Sequence, residues 1–328
     1  MKTRKRDTGC HAFVNCKGAL THPFGALRLL AVAAVLALAV RIPAVQAAGF
    51  VIEKFKVGSF PTTAAFDGAN IWVTNELDGT VTKLRASDGA TLGTFTVGRD
   101  PFQAIYDGAN MWVVNFGDST VTKLRASDGV VLGTFPCGSS PTGITFDGTS
   151  FYVVNQFSDT VTKLRASDGA IIGTFPVGSS PVFIIFDGTN LWTTNTASND
   201  VTKLRPSDGM VLGTFPVGTG PAGIAFDGVH IWVSNLYSDD LTQLLASDGT
   251  VLGTFPVGGA PQLISFDGKD IWVPMLTENT VWRLRASDGR IRGKLRVGLR
   301  PSGSLYDGLN TWVTNTQGNS VNKISRAR

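Results

Sequence analysis

The stretch VTKLRASDGVVLGTFPCGSSPTGITFDG, residues 121–148, returns almost unchanged as VTKLRASDGAIIGTFPVGSSPVFIIFDG, residues 161–188. A proline, an Asp-Gly pair and an aromatic residue all recur with this same spacing along most of the chain. The prolines that mark the copies are Pro61, Pro101, Pro141, Pro181, Pro221, Pro261 and Pro301. Seven copies at a period of about 40 residues are typical of a solenoid or a propeller, and the content of one copy decides between them.

One copy of the repeat has the pattern of four short strands. PTTAAFDG (61–68) is apolar and ends in Asp-Gly, a strong hairpin-turn signal. NIWVTN (70–75) is rich in β-branched and aromatic residues, which favour a second strand. TVTKLRA (80–86) and ATLGTFTV (90–97) follow as a third and a fourth strand, joined by a Ser-Asp-Gly turn. Four strands with short connections fill about 40 residues, and four antiparallel strands make one propeller blade.

The two ends of the chain explain how the ring would close. The last repeat stops after its third strand, and FVIEKFKVG (50–58) aligns with the fourth-strand sequence VVLGTFPCG (130–138). The sequence therefore predicts an all-β, seven-bladed β-propeller with four antiparallel strands per blade over residues 48–328, in which residues 49–58 complete the last blade. An unclosed ring would leave two edges of unpaired backbone groups. The repeats begin near residues 57, 97, 137, 177, 217, 257 and 297.

The first 47 residues have a different character. A basic start is followed by an unbroken apolar run, Leu29–Val40, and then by the small-residue pattern Val45-Gln46-Ala47. This order predicts a secretory signal peptide over residues 1–47, with an apolar core too short to cross a bilayer. An uncleaved anchor is the alternative. We therefore expect an exported monomer, periplasmic, cell-surface or secreted, without a transmembrane span after residue 47.

The leader also accounts for the basic character of the whole chain. It holds seven of the 29 Lys and Arg residues and one of the 25 acids, so the remainder has a net charge near −2. The basic isoelectric point is therefore no nucleic-acid signature. Cys137 is the single cysteine after residue 47, which excludes an internal disulfide, and we interpret it as a small buried hydrophobe.

The end of the second strand carries a recognisable motif. The segments WVTN (72–75), WVVN (112–115), YVVN (152–155) and WVTN (312–315) resemble the signature of YVTN-repeat β-propellers. That resemblance covers the chain after the leader and implies the propeller fold. The family includes exported bacterial proteins and archaeal surface-layer proteins. Virginiamycin B lyase-like propellers are related, and they imply an alternative function, a metal-dependent lyase or hydrolase with His and Glu beside a divalent metal.

The residues for that alternative chemistry are few. Beyond the leader there is one histidine, His230, and three glutamates, Glu53, Glu76 and Glu278. His230 occupies a hairpin turn, whereas the Glu76 and Glu278 loops lie on the opposite face of a propeller. We therefore expect no convergence of these groups, and assign no catalytic residue, metal ligand or cofactor. The repeated Asp of Asp-Gly is interpreted as turn chemistry, because a calcium loop needs about six converging oxygens.

Two repeated side chains could be structural or could bind a ligand. The motif asparagine, Asn75 and its copies, could form a ring of amides for a polar ligand. The favoured interpretation is a hydrogen bond from each amide to the loop that follows it. The aromatic residue before it, such as Trp72, is expected to fill the space between blades rather than to stack on a ligand.

The copies diverge on one face only, in the loops before each proline and after each second strand. Binding residues tend to lie on loops held by a rigid scaffold, so this face is the predicted binding surface for a protein, a cell-envelope polymer or a small ligand. Unconstrained drift of loop sequence is the alternative. The candidate binding residues are Arg99, Phe102, Phe116, Phe157, Tyr237 and Arg300.

Blade six departs from the repeat by gaining positive charge. Four cations spaced by two would share one face of its outermost strand. This strip is predicted either to guard an exposed strand edge or to bind a polyanion weakly, such as acidic glycan, phospholipid head groups or nucleic acid. The strip consists of Arg290, Arg292, Lys294 and Arg296.

Overall fold

The computed structural model describes residues 45–47 and 49–327, which form 29 strands and one short 3-10 helix. The predicted signal peptide lies outside the described residues, except for its last three. The two N-terminal strands are β1 (Val45–Ala47) and β2 (Phe50–Lys56).

Six four-stranded antiparallel sheets follow in chain order, one for each blade. Blade one consists of β3 (Pro61–Phe66), β4 (Asn70–Asn75), the 3-10 helix Glu76–Asp78, β5 (Thr80–Arg85) and β6 (Thr91–Thr96). Blade two consists of β7 (Pro101–Tyr106), β8 (Asn110–Asn115), β9 (Thr120–Arg125) and β10 (Val131–Pro136). Blade three consists of β11 (Pro141–Phe146), β12 (Ser150–Asn155), β13 (Thr160–Arg165) and β14 (Ile171–Pro176).

The remaining sheets repeat this arrangement. Blade four consists of β15 (Pro181–Phe186), β16 (Leu191–Asn195), β17 (Asp200–Leu204) and β18 (Val211–Pro216). Blade five consists of β19 (Pro221–Phe226), β20 (His230–Asn235), β21 (Asp240–Leu245) and β22 (Val251–Pro256). Blade six consists of β23 (Ser265–Phe266), β24 (Asp270–Met275), β25 (Thr280–Arg285) and β26 (Ile291–Arg296).

Blade seven is assembled from both ends of the chain. It takes β27 (Pro301–Tyr306), β28 (Thr311–Asn315) and β29 (Ser320–Arg326), and β2 then pairs antiparallel with β29 from Phe50↔Arg326 to Lys56↔Ser320. The ring is therefore closed by the N-terminal strand, and the predicted seven-bladed propeller is confirmed. Strand β1 adds a fifth, outermost strand to this sheet.

The repeated tryptophan fills the space between blades, as expected. Trp72 is fully buried in one apolar cluster with Ala104, Met111 and Val113 of blade two. Its ring centroid lies 5.5 Å from that of Phe95 on the outer strand of its own blade. Large aromatic surfaces buried in this way supply much of the apolar stabilisation of such a fold.

The repeated Asp-Gly aspartate organises its turn. Asp67 Oδ1 accepts hydrogen bonds from the backbone N–H groups of Ala69 and Asn70, at 2.9 and 2.6 Å. Its Oδ2 accepts the indole N–H of Trp72 at 2.8 Å. Burial raises the pKa of Asp67, but the hydrogen bonds from Trp72, Asn70 and Ala69 together lower it by more. The net result is a pKa below the ordinary value for Asp. Its copies make the same turn bonds, which supports the turn interpretation.

A lysine on each third strand joins neighbouring blades, with exceptions in blades five and six. Lys83 Nζ donates to the backbone carbonyl of Ala126 in blade two at 2.6 Å, and lies 4.9 Å from the centroid of the Trp72 ring. Sequence reasoning did not single out this lysine. The matching bonds run from Lys123 to Ala166, from Lys163 to Pro206, from Lys203 to Ala246 and from Lys323 to Ala86.

Candidate functional site

The candidate binding face carries the loops that follow the second strands and the links between blades. Arg99 lies on it with an exposed side chain, but its guanidinium is engaged by the loop of its own blade. Nε donates to Asp118 Oδ1 at 2.5 Å and Nη2 donates to the carbonyl of Gly117 at 2.8 Å. Arg99 therefore helps to order this loop.

Phe102 differs from the sequence expectation, because its side chain is only 4% exposed. Its ring centroid lies 6.2 Å from that of Phe183. These residues belong to blades two and four, which are not neighbours in the ring, so they meet near its axis. The backbone carbonyl of Phe102 accepts the hydroxyls of Thr62 and Thr63 at 2.7 and 2.9 Å. Phe102 is thus an interior residue that joins blades and does not present its ring on the surface.

Two of the candidate aromatic residues do come together. The rings of Phe116 and Phe157, from the loops of blades two and three, are 5.8 Å apart in an edge-to-face arrangement with an interplanar angle of 73°. Phe157 is 54% exposed, and Tyr237 on blade five is 53% exposed. Arg300, at the link between blades six and seven, is also exposed. Its backbone carbonyl accepts the hydroxyl of Thr316 at 2.8 Å.

An acidic cleft of about 430 Å³ lies on the same face between blades one and two. The charged residues that line it are Glu76, Asp78, Asp100, Asp118 and Arg99. Glu76 is only 5% exposed, and its Oε2 has no hydrogen-bond partner among the described residues. Burial, and secondly the negative charge of Asp100, raise the pKa of Glu76 to about 7. This cleft could not be recognised from the sequence, because the residue type at the position of Glu76 varies among the repeats.

His230 lies in a different groove, of about 380 Å³, between blades five and six. Its Nδ1 is 3.0 Å from Asp227 Oδ2, which also accepts the indole N–H of Trp232 at 3.0 Å. Glu278 accepts the indole N–H of Trp282 at 3.1 Å in the loop of blade six. Residues 45–47 and 49–327 contain no group of three or more His, Cys, Asp and Glu side chains that could hold a metal ion. They do not fit the metal centre that a lyase of the related kind implies.

The motif asparagine is fully buried and bonded within the blades. Asn75 Oδ1 accepts the backbone N–H of Gly58 at 3.0 Å, and Nδ2 donates to the hydroxyls of Thr80 and Thr82 at 3.0 and 2.9 Å. The role is structural, but the partners differ from the following loop that the sequence suggested. The amide joins the link before the blade to the third strand instead.

The basic strip on blade six is exposed but does not form one continuous row. The register of β26 against β25 shifts between Ile291 and Gly293, so Arg292 is an extra residue in a bulge that breaks the alternation of faces. Arg292 Nη1 donates to Asp270 Oδ1 at 2.9 Å, and Asp270 is fully buried. Lys294 Nζ lies 3.3 Å from the centroid of the Trp282 ring. The charge of Arg292 is therefore offset by a buried carboxylate that lies 22 positions earlier in the chain.

Solved structures share this architecture. A streptogramin B lyase structure superimposes with a TM-score of 0.74 at 20% sequence identity, covering 85% of this chain and 98% of that one. The hydrazine synthase of Kuenenia stuttgartiensis superimposes with a TM-score of 0.74 at 17% identity, covering 82% of this chain and 96% of that one. No protein-family model and no curated protein sequence matches the chain. The likeness shows the fold, a seven-bladed β-propeller.

The described part of the chain contains no helix with the length and apolarity needed to cross a bilayer. Partners and oligomeric state stay predictions.

Proposed function

We propose that this chain is an exported, non-catalytic propeller that binds a protein or a cell-envelope polymer through the loops of blades two and three. The observation that carries the proposal is the edge-to-face pair of Phe116 and Phe157, because Phe157 lies on a loop and is 54% exposed. Aromatic side chains that are solvent-exposed on rigid loops are the usual anchors of binding surfaces.

The surroundings of the pair support the same proposal. Leu77 and Tyr237 are exposed by 61% and 53% on loops of the same face, and Arg99 and Arg300 are exposed polar residues on it. Exposed aromatic, apolar and arginine side chains are the residue types that protein-binding surfaces favour. Phe102 is left out of this surface because its ring is buried.

A comparison of surface variants tests the proposal. The full chain and its Phe116→Ala, Phe157→Ala double variant are immobilised, and the species retained from a cell-envelope extract are compared. The matched control is Leu132→Ala with Leu252→Ala, which removes two exposed apolar side chains from outer strands. Loss of the same species in the aromatic variant alone supports the proposal. Equal retention by all three proteins, with equal melting curves, overturns it.

The lyase alternative has less support. Its one argument is the likeness to a streptogramin B lyase structure, which at 20% identity extends to the fold only. His230 and Glu76 line different cavities, so no shared site for a metal brings them together. Metal-dependent opening of a cyclic depsipeptide by the purified chain would reverse the order of the two functions.

A further inference from the structure

We propose that the acidic cleft between blades one and two binds a primary ammonium group, held by the carboxylates of Glu76 and Asp100. This site is separate in its residues from the aromatic pair of Phe116 and Phe157, and it does not depend on what that pair binds.

The cleft is lined by more acidic than basic side chains. Arg99 is the one cation among its lining residues, and it is paired with Asp118. Asp78 is partly satisfied, because its Oδ2 accepts the backbone N–H of Ser59 at 2.7 Å. Arg99 also attracts the neighbouring Asp100, but it makes its hydrogen bond and ion pair with Asp118. Glu76 makes no ion pair with the described residues, so one cation faces four acids in the cleft. An excess of nearby carboxylates over cations creates a potential that favours a further cation.

The second observation is the orphaned oxygen of Glu76. The side chain is 95% buried and lines the cleft, yet Oε2 accepts no hydrogen bond from the described residues. A buried polar oxygen without a partner is destabilising, and more so when it is charged, so native structures rarely retain one without a reason. A donor that enters the cleft would satisfy it.

The repeat itself identifies what is unusual about this pair. Gln156 occupies the position of Glu76 in blade three, and its Nε2 donates to Ser180 Oγ of blade four at 3.1 Å. A side chain at this position therefore reaches the residue before the next proline, which in blade two is Asp100. Blade one and blade two place two acids where blades three and four place an amide and a hydroxyl. Around the ring, the seven pairs are Glu76 with Asp100, Phe116 with Ser140, Gln156 with Ser180, Thr196 with Gly220, Leu236 with Ala260, Leu276 with Arg300, and Thr316 with Phe60.

The chemistry of the cleft favours an ammonium ion over a metal ion. Calcium takes six to eight oxygen ligands, and the described residues include no cluster of three metal-ligating side chains. An ammonium group is a compact charge with three N–H donors, which two carboxylates and one further acceptor can satisfy. A volume of about 430 Å³ also leaves room for the alkyl chain that carries it. A lysine side chain and a free polyamine share this chemistry.

The bound cation would couple to the protonation of Glu76. The charged groups that face it across the cleft are Asp78 on its own loop, and Asp100, Asp118 and Arg99 on blade two. Burial and the charge of Asp100 keep Glu76 protonated up to a pKa of about 7, and a neutral acid attracts a cation weakly. Binding should therefore strengthen as the pH rises through 7 and should release a proton near that pH.

Calorimetry of the full chain with 1,5-diaminopentane tests the site at pH 8 and pH 5.5. We expect binding at pH 8 that is at least about tenfold weaker at pH 5.5, because one pKa unit corresponds to a factor of about ten. Glu76→Gln and Asp100→Asn should each abolish binding at pH 8. Two variants are used so that a folding defect in one of them does not decide the result. Glu53→Gln, in the closing strand β2, is the matched control and should bind as the unmodified chain does.

The remaining outcomes are equally decisive. Equal affinity in the unmodified chain and in Glu76→Gln, or no binding at pH 8 by a chain with an unchanged melting curve, overturns the site. Calcium alone as a probe, bound by the unmodified chain and lost in Glu76→Gln, would replace the ammonium assignment by a metal. Nα-acetyl-lysine amide as a second probe separates a protein lysine from a free diamine. The Phe116→Ala, Phe157→Ala variant should still bind 1,5-diaminopentane. A failure of the ammonium site can therefore be told apart from a failure of the proposed function.

Discussion

Lys83 Nζ in blade one lies 2.6 Å from the backbone carbonyl oxygen of Ala126 in blade two, across the boundary between two sheets that share no strand pairing. The lysine is 7% exposed, and its ammonium also lies over the ring of Trp72. Each such bond joins a charged donor to a neighbouring blade. The contacts between blades thus include directional hydrogen bonds as well as apolar packing.

Removal of one of these bonds should measurably loosen the ring. In Lys83→Met the apolar stem stays against Trp72 but the ammonium is lost, and the carbonyl of Ala126 keeps no donor from Lys83. We expect the free energy of unfolding to fall by about 1.5–3 kcal/mol, the range for hydrogen bonds to charged groups. Denaturant titration measures it. Lys54→Met, at an exposed position of β2, is the control, and equal losses in both variants would contradict the prediction.

Closure of the ring by β2 predicts a severe effect of deleting residues 49–58. The deletion would expose the free edge of β29 and uncover the apolar cluster that holds Val57 and Trp312. We expect a sharp fall in melting temperature or aggregation, since unpaired edges recruit other strands. Circular dichroism and light scattering follow both. The substitutions Lys54→Ser and Lys56→Ser, in exposed positions of β2, should leave the melting curve in place.

Glu76 should make the protein less stable as the pH rises. Its pKa is raised from 4.5 to about 7 in the folded state, so the folded chain holds a proton that the unfolded chain releases. The free energy of unfolding therefore falls between pH 4.5 and 7 on account of this group. The free energy of unfolding of Glu76→Gln, taken relative to that of the unmodified chain, should therefore rise by up to about 3 kcal/mol from pH 4 to pH 8, at about 1.4 kcal/mol per pKa unit.

Denaturant titrations at the two pH values measure this change as a difference between the two proteins, so that groups common to both cancel. A difference that stays constant from pH 4 to pH 8 would show that Glu76 titrates normally.

Cys137 should be unreactive in the folded protein. Cys137 is partly buried rather than fully buried as the sequence suggested, and desolvation raises the pKa of its thiol to about 12. Almost no thiolate is therefore present at pH 8, and the thiolate is the reacting form. Alkylation with iodoacetamide, followed by mass spectrometry of the peptide that contains Cys137, should find little modification in the native chain and complete modification in guanidinium chloride. Fast native labelling would disprove the buried interpretation.

The basic strip should give weak polyanion binding through its two outer members. Arg292 pairs with buried Asp270, and Lys294 lies over the ring of Trp282. Arg290 and Arg296, in contrast, make no ion pair and no cation–π contact within residues 49–327. We expect Arg290→Ser with Arg296→Ser to elute from heparin at lower salt than the unmodified chain, with an unchanged melting curve. Lys54→Ser with Lys56→Ser, which removes the same charge elsewhere, is the control.

Elution of the unmodified chain and the Arg290, Arg296 variant at one salt concentration would leave the strip as a guard of the blade edge. Arg292 is kept in this test because its loss would leave Asp270 with Arg283 as its remaining basic neighbour.

The fold could be predicted from the sequence because the strand pattern occurs in seven repeats. The number of strands and blades follows from the repeat period and the turn residues. Closure of the ring follows from the sequence of the N-terminal segment, which matches a fourth strand. Contacts between blades could not be predicted in the same way. The bond from Lys83 to Ala126 spans 43 positions, and no local rule relates a lysine in one copy to a carbonyl in the next.

The candidate site was predictable only in part. Loop divergence pointed to Phe116 and Phe157, and their rings do meet in neighbouring loops. That this face binds a ligand stays a prediction. The burial of the Phe102 ring could not be predicted, because an aromatic residue after a proline can turn outward or toward the axis, and the repeat pattern does not distinguish the two. The cleft at Glu76 depends on where one buried oxygen points and on a neighbour 24 positions away, Asp100, which only the folded ring brings near.

The seam between β2 and β29 also sets the order of events when the chain is made. Asn322 bonds to the carbonyl of Glu53 across 269 positions, so the first strand of the ring pairs with the last one. At about 5–20 residues per second, a ribosome leaves that strand without its mate for roughly 15–50 s. Pairing of such distant segments is also slow in itself. Until β29 is made, the edge of β2 is therefore unpaired, and conditions that keep incomplete chains apart should raise the yield of closed rings.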